Sequence, residues 1–202
     1  MSRCIRATTF AILIPLACGQ LFGQDRSTVL VVYYSMEGHT RAMAEAVAKG
    51  AQSSGRVTVK LLSVEQATTE DVLTADAIIV GTPVHNANVA TPVQQFINRW
   101  PFEGAPLRDK IGAAFVTAGG ISAGEELAQL NILHSMLIFG MVVVGGPDWQ
   151  SAFGASAVTM EQPFGRGQKK GEVDEYFFKK GEALGKRVAD LTLKWRSVHQ
   201  NK

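Results

Sequence analysis

The sequence predicts one α/β domain with a parallel five-stranded sheet, because apolar strand segments and amphipathic helices alternate along the chain. Most strand segments are continuous apolar runs, which is typical of strands that helices cover on both faces. Three of these segments end in loops rich in glycine, serine, threonine and proline. Because the carboxyl ends of parallel strands form one edge of the sheet, these loops should meet in a single ligand-binding crevice.

The first half of the chain begins with two strand–helix units. Residues 29–34 are mostly β-branched or aromatic, and a Ser-Met-Glu-Gly-His-Thr turn at 35–40 leads into an amphipathic helix. Residues 57–62 alternate in polarity, which indicates a half-buried strand near a sheet edge. A short helix is expected at 68–75.

The third unit starts with a buried strand at 77–80, which the Gly-Thr-Pro sequence at 81–83 ends abruptly. After the following loop, Thr91, Pro92 and Gln94 are typical of a helix start. They predict Thr91 as the N-cap, proline at the first helical position and a capping box.

The fourth unit combines a strand at 111–116 with a glycine-rich loop at 117–124 and a helix. Ser122 and Glu125 predict a second capping box at the start of that helix. Its apolar spacing predicts a stripe that faces the core, in which the histidine is a buried core residue rather than a catalytic one. The residues of this stripe are Leu127, Leu130, His134, Leu137 and Ile138.

The last unit has a strand at 141–144, a long loop at 145–171 and a carboxyl-terminal helix. Loops of that length are usually functional or mobile, so we expect this one beside the ligand crevice. The helix should pack on the sheet through an apolar stripe. That stripe contains Phe177, Leu184, Val188, Leu191, Trp195 and Val198.

The amino-terminal segment 1–23 has the layout of a signal peptide, with Arg3 and Arg6 before an apolar run at 7–17 and small residues behind it. The apolar run is shorter than the ~20 residues that a membrane-spanning helix needs. We therefore predict a cleaved signal peptide, a mature domain at 24–202 without a stable membrane span, and export to the periplasm or the extracellular space.

Cleavage would also change the chemistry of the chain. Cys4 and Cys18 both lie in the removed segment, which excludes disulfides and cysteine–metal sites, while a lipid anchor at Cys18 is the weaker alternative. Loss of Arg3 and Arg6 leaves 18 basic against 18 acidic residues, a balance that argues against nucleic-acid binding. The basic patch at 166–170 is most simply a solvated loop.

The turn at 35–40 predicts an anion site. The free N–H groups of the first helical turn and the positive end of the helix dipole point into it, and Ser35 and Thr40 add hydroxyls. The chain contains no G-x-x-x-x-G-K-[ST] motif, and no G-x-G-x-x-G follows the first strand. The turn therefore suits a phosphate bound without a metal ion.

Three stretches carry a resemblance to a known family: Tyr-Tyr-Ser-Met-Glu-Gly-His-Thr at 33–40, Gly-Thr-Pro at 81–83 and the glycine loop within 115–125. They resemble the flavodoxin-like superfamily, and within it the FMN-dependent NAD(P)H:quinone oxidoreductases of the tryptophan-repressor-binding-protein type. The similarity extends from Thr28 to about Trp195. It implies a three-layer sandwich with strand order 2-1-3-4-5, FMN as cofactor, NAD(P)H as co-substrate, a quinone-like acceptor and a homo-oligomer, dimer or tetramer.

The resemblance also implies an FMN site shared by the three loops. The first would enclose the phosphate with Ser35, Met36, Glu37, Gly38, His39 and Thr40. The second would border the isoalloxazine ring with Thr82, Pro83, Val84, His85 and Asn86. The third would wrap the other edge of the ring with Thr117, Ala118, Gly119, Gly120, Ile121 and Ser122.

The chain departs from the family pattern at particular positions. Glu37 stands where an aromatic residue commonly contributes to the nicotinamide side, and its carboxylate is expected to turn outward. Phe139 replaces a ring-proximal histidine, so that proton-handling group is absent. Phe102 lies near the family's quinone-side tryptophan, with Trp100 as an alternative. Together with His85, which could also be a simple loop histidine, Phe102 is a candidate catalytic residue.

The resulting hypothesis is an FMN oxidoreductase that passes electrons from NAD(P)H to a quinone or similar acceptor. A one-electron flavodoxin carrier is an alternative, although such carriers are usually strongly acidic and this chain is near neutral. A flavin-free binding module of the same fold is the second alternative, because Glu37 and the missing histidine both weaken the flavin site.

Overall fold

The computed structural model describes residues 26–165 and 171–199. The predicted signal peptide at 1–23 and the basic patch at 166–170 lie outside these residues. In the part of the chain that is described, no helix is both long enough and apolar enough to cross a membrane.

Five parallel strands form the central path of the sheet, in the order β2-β1-β3-β5-β6, with helices on both faces. The strands on this path are β1 (Ser27–Tyr33), β2 (Val57–Ser63), β3 (Ala77–His85), β5 (Ile111–Ala118) and β6 (Val142–Val143). Two further strands pair with them, β4 (Asn88–Val89) antiparallel to β3 and β7 (Ala155–Val158) parallel to β5. The helices are α1 (His39–Gln52), α2 (Thr69–Thr74), α3 (Thr91–Asn98), α4 (Glu125–Ile138) and α5 (Glu175–His199). The predicted fold class and strand order are confirmed.

The fifth position of the sheet is shared by two segments, because β6 pairs with the start of β5 and β7 pairs with its end. A connection with a 3₁₀ turn at Trp149–Ser151 joins them. The side-chain amide of Gln129 on α4 donates to the Ala155 carbonyl (3.0 Å), which fixes the start of β7. The prediction of a loop throughout 145–171 is therefore wrong, because this range contains the four-residue strand β7.

Alternate residues of each strand enter different cores, as a sheet covered on both faces requires. On β1, Val29 and Val31 pack against the side of α1 and α5, whereas Leu30 and Val32 pack against the side of α3 and α4. All four side chains are fully buried. The two cores hold the carboxyl ends of the strands rigidly below the loops that follow them.

Neither of the two predicted capping boxes is complete. Helix α3 already includes Thr91, and its N-cap is Ala90, whose backbone N–H donates to the Thr82 hydroxyl (3.0 Å) instead. Helix α4 has Gly124 as its N-cap with φ 103°, so Ser122 is outside the helix. Half of that box remains, because the Ser122 N–H donates to the Glu125 carboxylate (3.0 Å).

The predicted core stripe of α4 is wrong for most of its members. Helix α4 buries another face, made of Ala128, Gln129, Ile132, Leu133 and Met136. His134 is exposed, as are Leu127, Leu137 and Ile138. The helix is apolar around much of its circumference, so periodicity alone does not identify the buried face.

We expect the Asp71→Asn substitution to destabilise the protein in a pH-dependent way. The Lys60 ammonium (2.9 Å) and the Thr68 hydroxyl and N–H hold the pKa of Asp71 at about 2, below its usual value. This stabilisation is present above the unfolded pKa of about 4 and is lost as the pH falls towards 2. Asp71→Asn should cost about 1 kcal/mol at pH 7.

Thermal unfolding of both proteins from pH 7 to pH 2 measures the effect of Asp71. The Tm difference should shrink as the pH falls. The matched control is Asp190→Asn, which removes an exposed i,i+4 pair with Lys186 and should change Tm little. A Tm difference that does not depend on pH would contradict the role given to the Asp71 charge.

Candidate functional site

A crevice of about 270 Å³ lies at the carboxyl ends of β1, β3 and β5. It is lined by three residue groups from the predicted loops and by one group from the end of β7. The lining residues are Ser35, Met36, Glu37, His39, Thr40, Pro83, Val84, His85, Thr117, Ala118, Gly119, Thr159 and Met160. The structure thus brings together residues that lie far apart in the sequence.

The first loop presents backbone donors to this crevice. Gly38 is the N-cap of α1 with φ 93°, and its N–H donates to the Ser35 hydroxyl (3.1 Å). The first bond of the helix runs from the Ala42 N–H to the Gly38 carbonyl, so the amides of His39, Thr40 and Arg41 have no acceptor within the helix. This arrangement suits a bound anion.

Gly38 must be glycine for two reasons. Its positive φ is a conformation that residues with a side chain rarely adopt. A Cβ atom there would also lie only 3.0 Å from the Cα of Gly171, which crosses beside the loop. Gly38 itself does not line the crevice and instead shapes the loop that does.

Glu37 is one of the residues that line the crevice, and its carboxylate lies beside the His39 ring. Its side chain is 65% exposed, and its carboxylate is 3.8 Å from Nδ1 of His39. The His39 ring is 13% exposed, so the histidine forms part of the wall while the glutamate faces solvent. This exposure is consistent with the expected outward orientation of the carboxylate.

Thr40 and Thr117 connect the first loop to the third. Their hydroxyls are 2.7 Å apart and buried. The pair uses only one of the two hydroxyl hydrogens, so one hydroxyl keeps a hydrogen that it can donate. This bond fixes the distance between the anion end of the crevice and the end of β5.

In the second loop, three predicted residues line the crevice and two do not. Thr82 is fully buried, and its hydroxyl donates to the Pro83 carbonyl while it accepts from Ala90. Asn86 lies in the turn to β4 with φ 49°. Thr82 and Asn86 therefore support the loop, whereas His85 lines the crevice and meets Tyr34 edge to face at 6.3 Å.

The third loop contributes its first half to the crevice. Thr117, Ala118 and Gly119 line it, whereas Gly120, Ile121 and Ser122 extend beyond it towards the Glu161 and Glu125 carboxylates. These predicted ring contacts of Gly120, Ile121 and Ser122 are therefore not present in the crevice as the structure shows it.

Phe102 does not reach the crevice of its own chain. It lies between α3 and β5, near the amino-terminal edge of the sheet, is 63% exposed and contacts Phe139 at 5.7 Å between ring centroids. Trp100, the alternative, is buried against Phe96 and Phe139. Both aromatic residues thus lie at the amino-terminal ends of the strands, opposite the three loops.

Thr159 and Met160 are site residues that the sequence reasoning missed. They follow β7, whose four residues fall within the predicted long loop. The general expectation that this loop lies beside the site is nevertheless consistent with their position. No local signal marks these residues as a strand, because Ser156 interrupts the apolar residues and only Val158 is β-branched.

We expect Met36 and Met160 to be oxidised before the other described methionines. Both line the crevice and are 64% and 70% exposed, whereas Met43, Met136 and Met141 are buried. Mild hydrogen peroxide should convert the exposed pair to sulfoxides about ten times faster. Mass mapping of peptides from the folded protein measures this ratio, and the denatured protein serves as the control with equal rates. Equal oxidation rates in the folded protein would contradict the exposure of Met36 and Met160 and the burial of the other three described methionines.

The crevice fits a flat ligand that carries a phosphate. Uncommitted amides of α1 lie at one end, and Pro83, Val84 and Gly119 leave apolar space beside them. No group of three or more His, Cys, Asp or Glu side chains in the described segments is arranged to hold a metal ion. The donor set is that of an anion site rather than of a metal centre.

Comparison with known proteins gives a family for this geometry. Residues 64–156 match the model of the NADPH-dependent FMN reductase family. The chain is 34% identical over 162 residues to a NAD(P)H dehydrogenase (quinone) of Azorhizobium caulinodans, covering 68% of this chain and 80% of that protein. It is 37% identical over 126 residues to a flavodoxin of Aquifex aeolicus, covering 60% of this chain and 66% of that flavodoxin.

Solved structures agree on the fold. A flavodoxin, WrbA-like protein from Agrobacterium tumefaciens superposes with a TM-score of 0.69 at 22% identity, over 83% of this chain and 98% of that one. A flavodoxin from the domain Archaea superposes with a TM-score of 0.63 at 25% identity, over 82% and 98% of the two chains. The chain therefore belongs to the flavodoxin-like superfamily, in the family of the FMN-dependent NAD(P)H:quinone oxidoreductases.

Proposed function

We propose that this chain binds FMN in the crevice and passes electrons from NAD(P)H to a quinone or a similar small acceptor. The observation that carries the proposal is the position of the uncommitted α1 amides beside the loops that follow β3 and β5. The similarity to NAD(P)H dehydrogenases (quinone) supports the choice of donor and acceptor.

Binding of the FMN phosphate falls to the first loop. The Ser35 hydroxyl accepts from Gly38 and keeps its own hydrogen to donate to a phosphate oxygen. The amides of His39, Thr40 and Arg41 supply further donors at the positive end of α1. None of these groups needs to lose a strong bond when the phosphate arrives.

The ring is assigned to the remainder of the crevice. FMN, when bound, supplies the hydride-accepting and electron-releasing chemistry. Pro83, Val84 and Met160 provide apolar contact surface, and Gly119 permits a close approach. His85 is exposed and lines the same space, so it is the side chain placed to give a proton to an acceptor.

Titration of the purified protein with FMN, followed by NADH or NADPH oxidation with benzoquinone, tests the function. We expect a yellow complex and steady turnover. A protein that takes up no FMN would support the flavin-free module, and uptake without turnover would support the electron carrier. His85→Ala should retain FMN binding and lower turnover, which separates binding from proton transfer.

We also propose that the protein forms a homo-oligomer. Leu127, Leu137 and Ile138 on α4 expose 50%, 53% and 70% of their surface, and Phe102 extends this apolar surface through its contact with Phe139. Phe102 could approach a flavin only in a second copy, because it lies far from its own crevice. Sedimentation of the protein and of Ile138→Asp tests this surface, and a monomeric parent protein would exclude it.

Export remains a proposal based on residues 1–23. A cleaved amino terminus in protein recovered from the periplasm or medium of expressing cells would support it. Retention of the intact segment in the cytoplasm would contradict it.

A further inference from the structure

The segment that follows β7 holds the third loop from the side. Beyond the strand pairing, the Thr159 N–H donates to the Ala118 carbonyl (2.9 Å) and the Met160 N–H to the Gly119 carbonyl (3.0 Å). At the next step the Glu161 side chain takes over, and its Oε2 accepts from the Ile121 N–H at 2.6 Å. The Glu161 carboxylate thus accepts the next hydrogen bond after the two that the backbone makes.

The fit between Glu161 and the loop is close. A Cβ atom on Gly120 would lie 2.7 Å from the same Oε2, so the carboxylate occupies the space beside a glycine. The backbone of Glu161 is itself fixed, because its carbonyl accepts from the N–H groups of Phe164 (3.0 Å) and Gly165 (2.7 Å). Both ends of the contact are therefore held.

The amide of Ile121 is the partner that explains this carboxylate. Among the described residues, Glu161 has no Lys, Arg or His partner within ion-pair distance. A hydrogen bond from an N–H to an ionised carboxylate is stronger than one between neutral groups. The opposite side of the loop has a similar bond, from the Ser122 N–H to Glu125.

We propose that Glu161 is a positioning residue for FMN, which holds the glycine turn at Gly119 and Gly120, just beyond the end of β5, beside the crevice. The proposal rests on the proposed FMN site and names a residue that acts through the loop rather than on the ring. Without the bond, a loop with two adjacent glycines would sample many conformations, and binding would have to order it. Ordering in advance improves affinity because that cost is avoided.

The test compares Glu161→Ala, which removes the acceptor, with Glu161→Gln, which keeps a neutral one. We expect FMN binding, measured by quenching of flavin fluorescence, to weaken about tenfold in the alanine variant and less than threefold in the glutamine variant. Hydrogen exchange at 118–122 should accelerate in the alanine variant alone. The matched control is Asp148→Ala, which removes a carboxylate bond to the Gln150 N–H (3.0 Å) outside the crevice and should leave FMN binding unchanged.

Two different failures can be told apart. If the parent protein takes up no FMN, the proposed function fails. If the parent protein binds FMN and Glu161→Ala binds it equally well, the function stands and the role of Glu161 is refuted. Equal weakening in the alanine and glutamine variants would also refute it, because rescue by the neutral acceptor is what a positioning hydrogen bond requires.

Discussion

The Ser35→Asp substitution is expected to weaken FMN binding roughly a hundredfold while the fold is retained. An aspartate carboxylate can replace the Ser35 hydroxyl as the turn acceptor of the Gly38 N–H, which Ser35 now accepts at 3.1 Å. Its charge, however, would face the phosphate dianion across a few ångströms. At an effective dielectric constant between those of a protein surface and water, this repulsion costs about 3 kcal/mol.

Two controls isolate the charge of that aspartate. Ser35→Asn introduces a neutral side chain of the same shape and should lose less than tenfold in affinity. Riboflavin, which has no phosphate, should bind the parent protein and Ser35→Asp equally. Fluorescence titrations at low and at high salt complete the set, since screening should reduce the loss. Similar FMN affinities for the aspartate and asparagine variants would contradict the proposal that the first loop binds the phosphate.

The fold was predictable because its signals are local. Residues 29–32 and 77–80 are apolar on both faces, and the structure buries them completely between two helical layers. The turn at 35–40 likewise announces itself by Gly38, whose positive φ starts α1. Each of these features depends on a few neighbouring residues, which a sequence displays directly.

The features that were missed depend on contacts between distant residues. β7 is four residues long and becomes a strand only because β5 and Gln129 hold it. Glu161 meets Ile121 across 40 positions of the chain, and no local pattern announces that bond. The buried face of α4 was misjudged because both of its faces are apolar, and only the packing of the sheet selects one.

The candidate site divides in the same way. Five of the six predicted first-loop residues, all except Gly38, line the crevice, because a strand end and a helix start define their position. Phe102 was assigned through a loosely aligned segment, and the structure puts it near the other edge of the sheet. Thr82 shows a subtler limit, because its hydroxyl serves the backbone of Ala90 instead of the ligand.

The Gly185→Ala substitution is expected to destabilise the fold by about 3 kcal/mol, and thus to lower Tm by roughly 6–12 °C. Helix α5 lies directly against α1 at this position. A Cβ atom on Gly185 would lie 1.9 Å from the Val47 carbonyl oxygen and 2.9 Å from the Ala51 nitrogen. These atoms belong to the backbone, so no side-chain rotation can relieve the overlap and the helices must separate.

Gly181, one turn earlier on α5, provides the matched control. A Cβ atom there would meet only side chains of α1, at 3.4 Å from Ala46 and Met43, which is ordinary contact. Alanine is also a better helix former than glycine by about 1 kcal/mol, so Gly181→Ala should leave Tm unchanged or raise it. The two variants share chemistry and helix propensity and differ in the atoms that they meet. Equal Tm values for both variants would show that α1 and α5 do not approach closely at Gly185. The packing of these two helices would then differ from the one described.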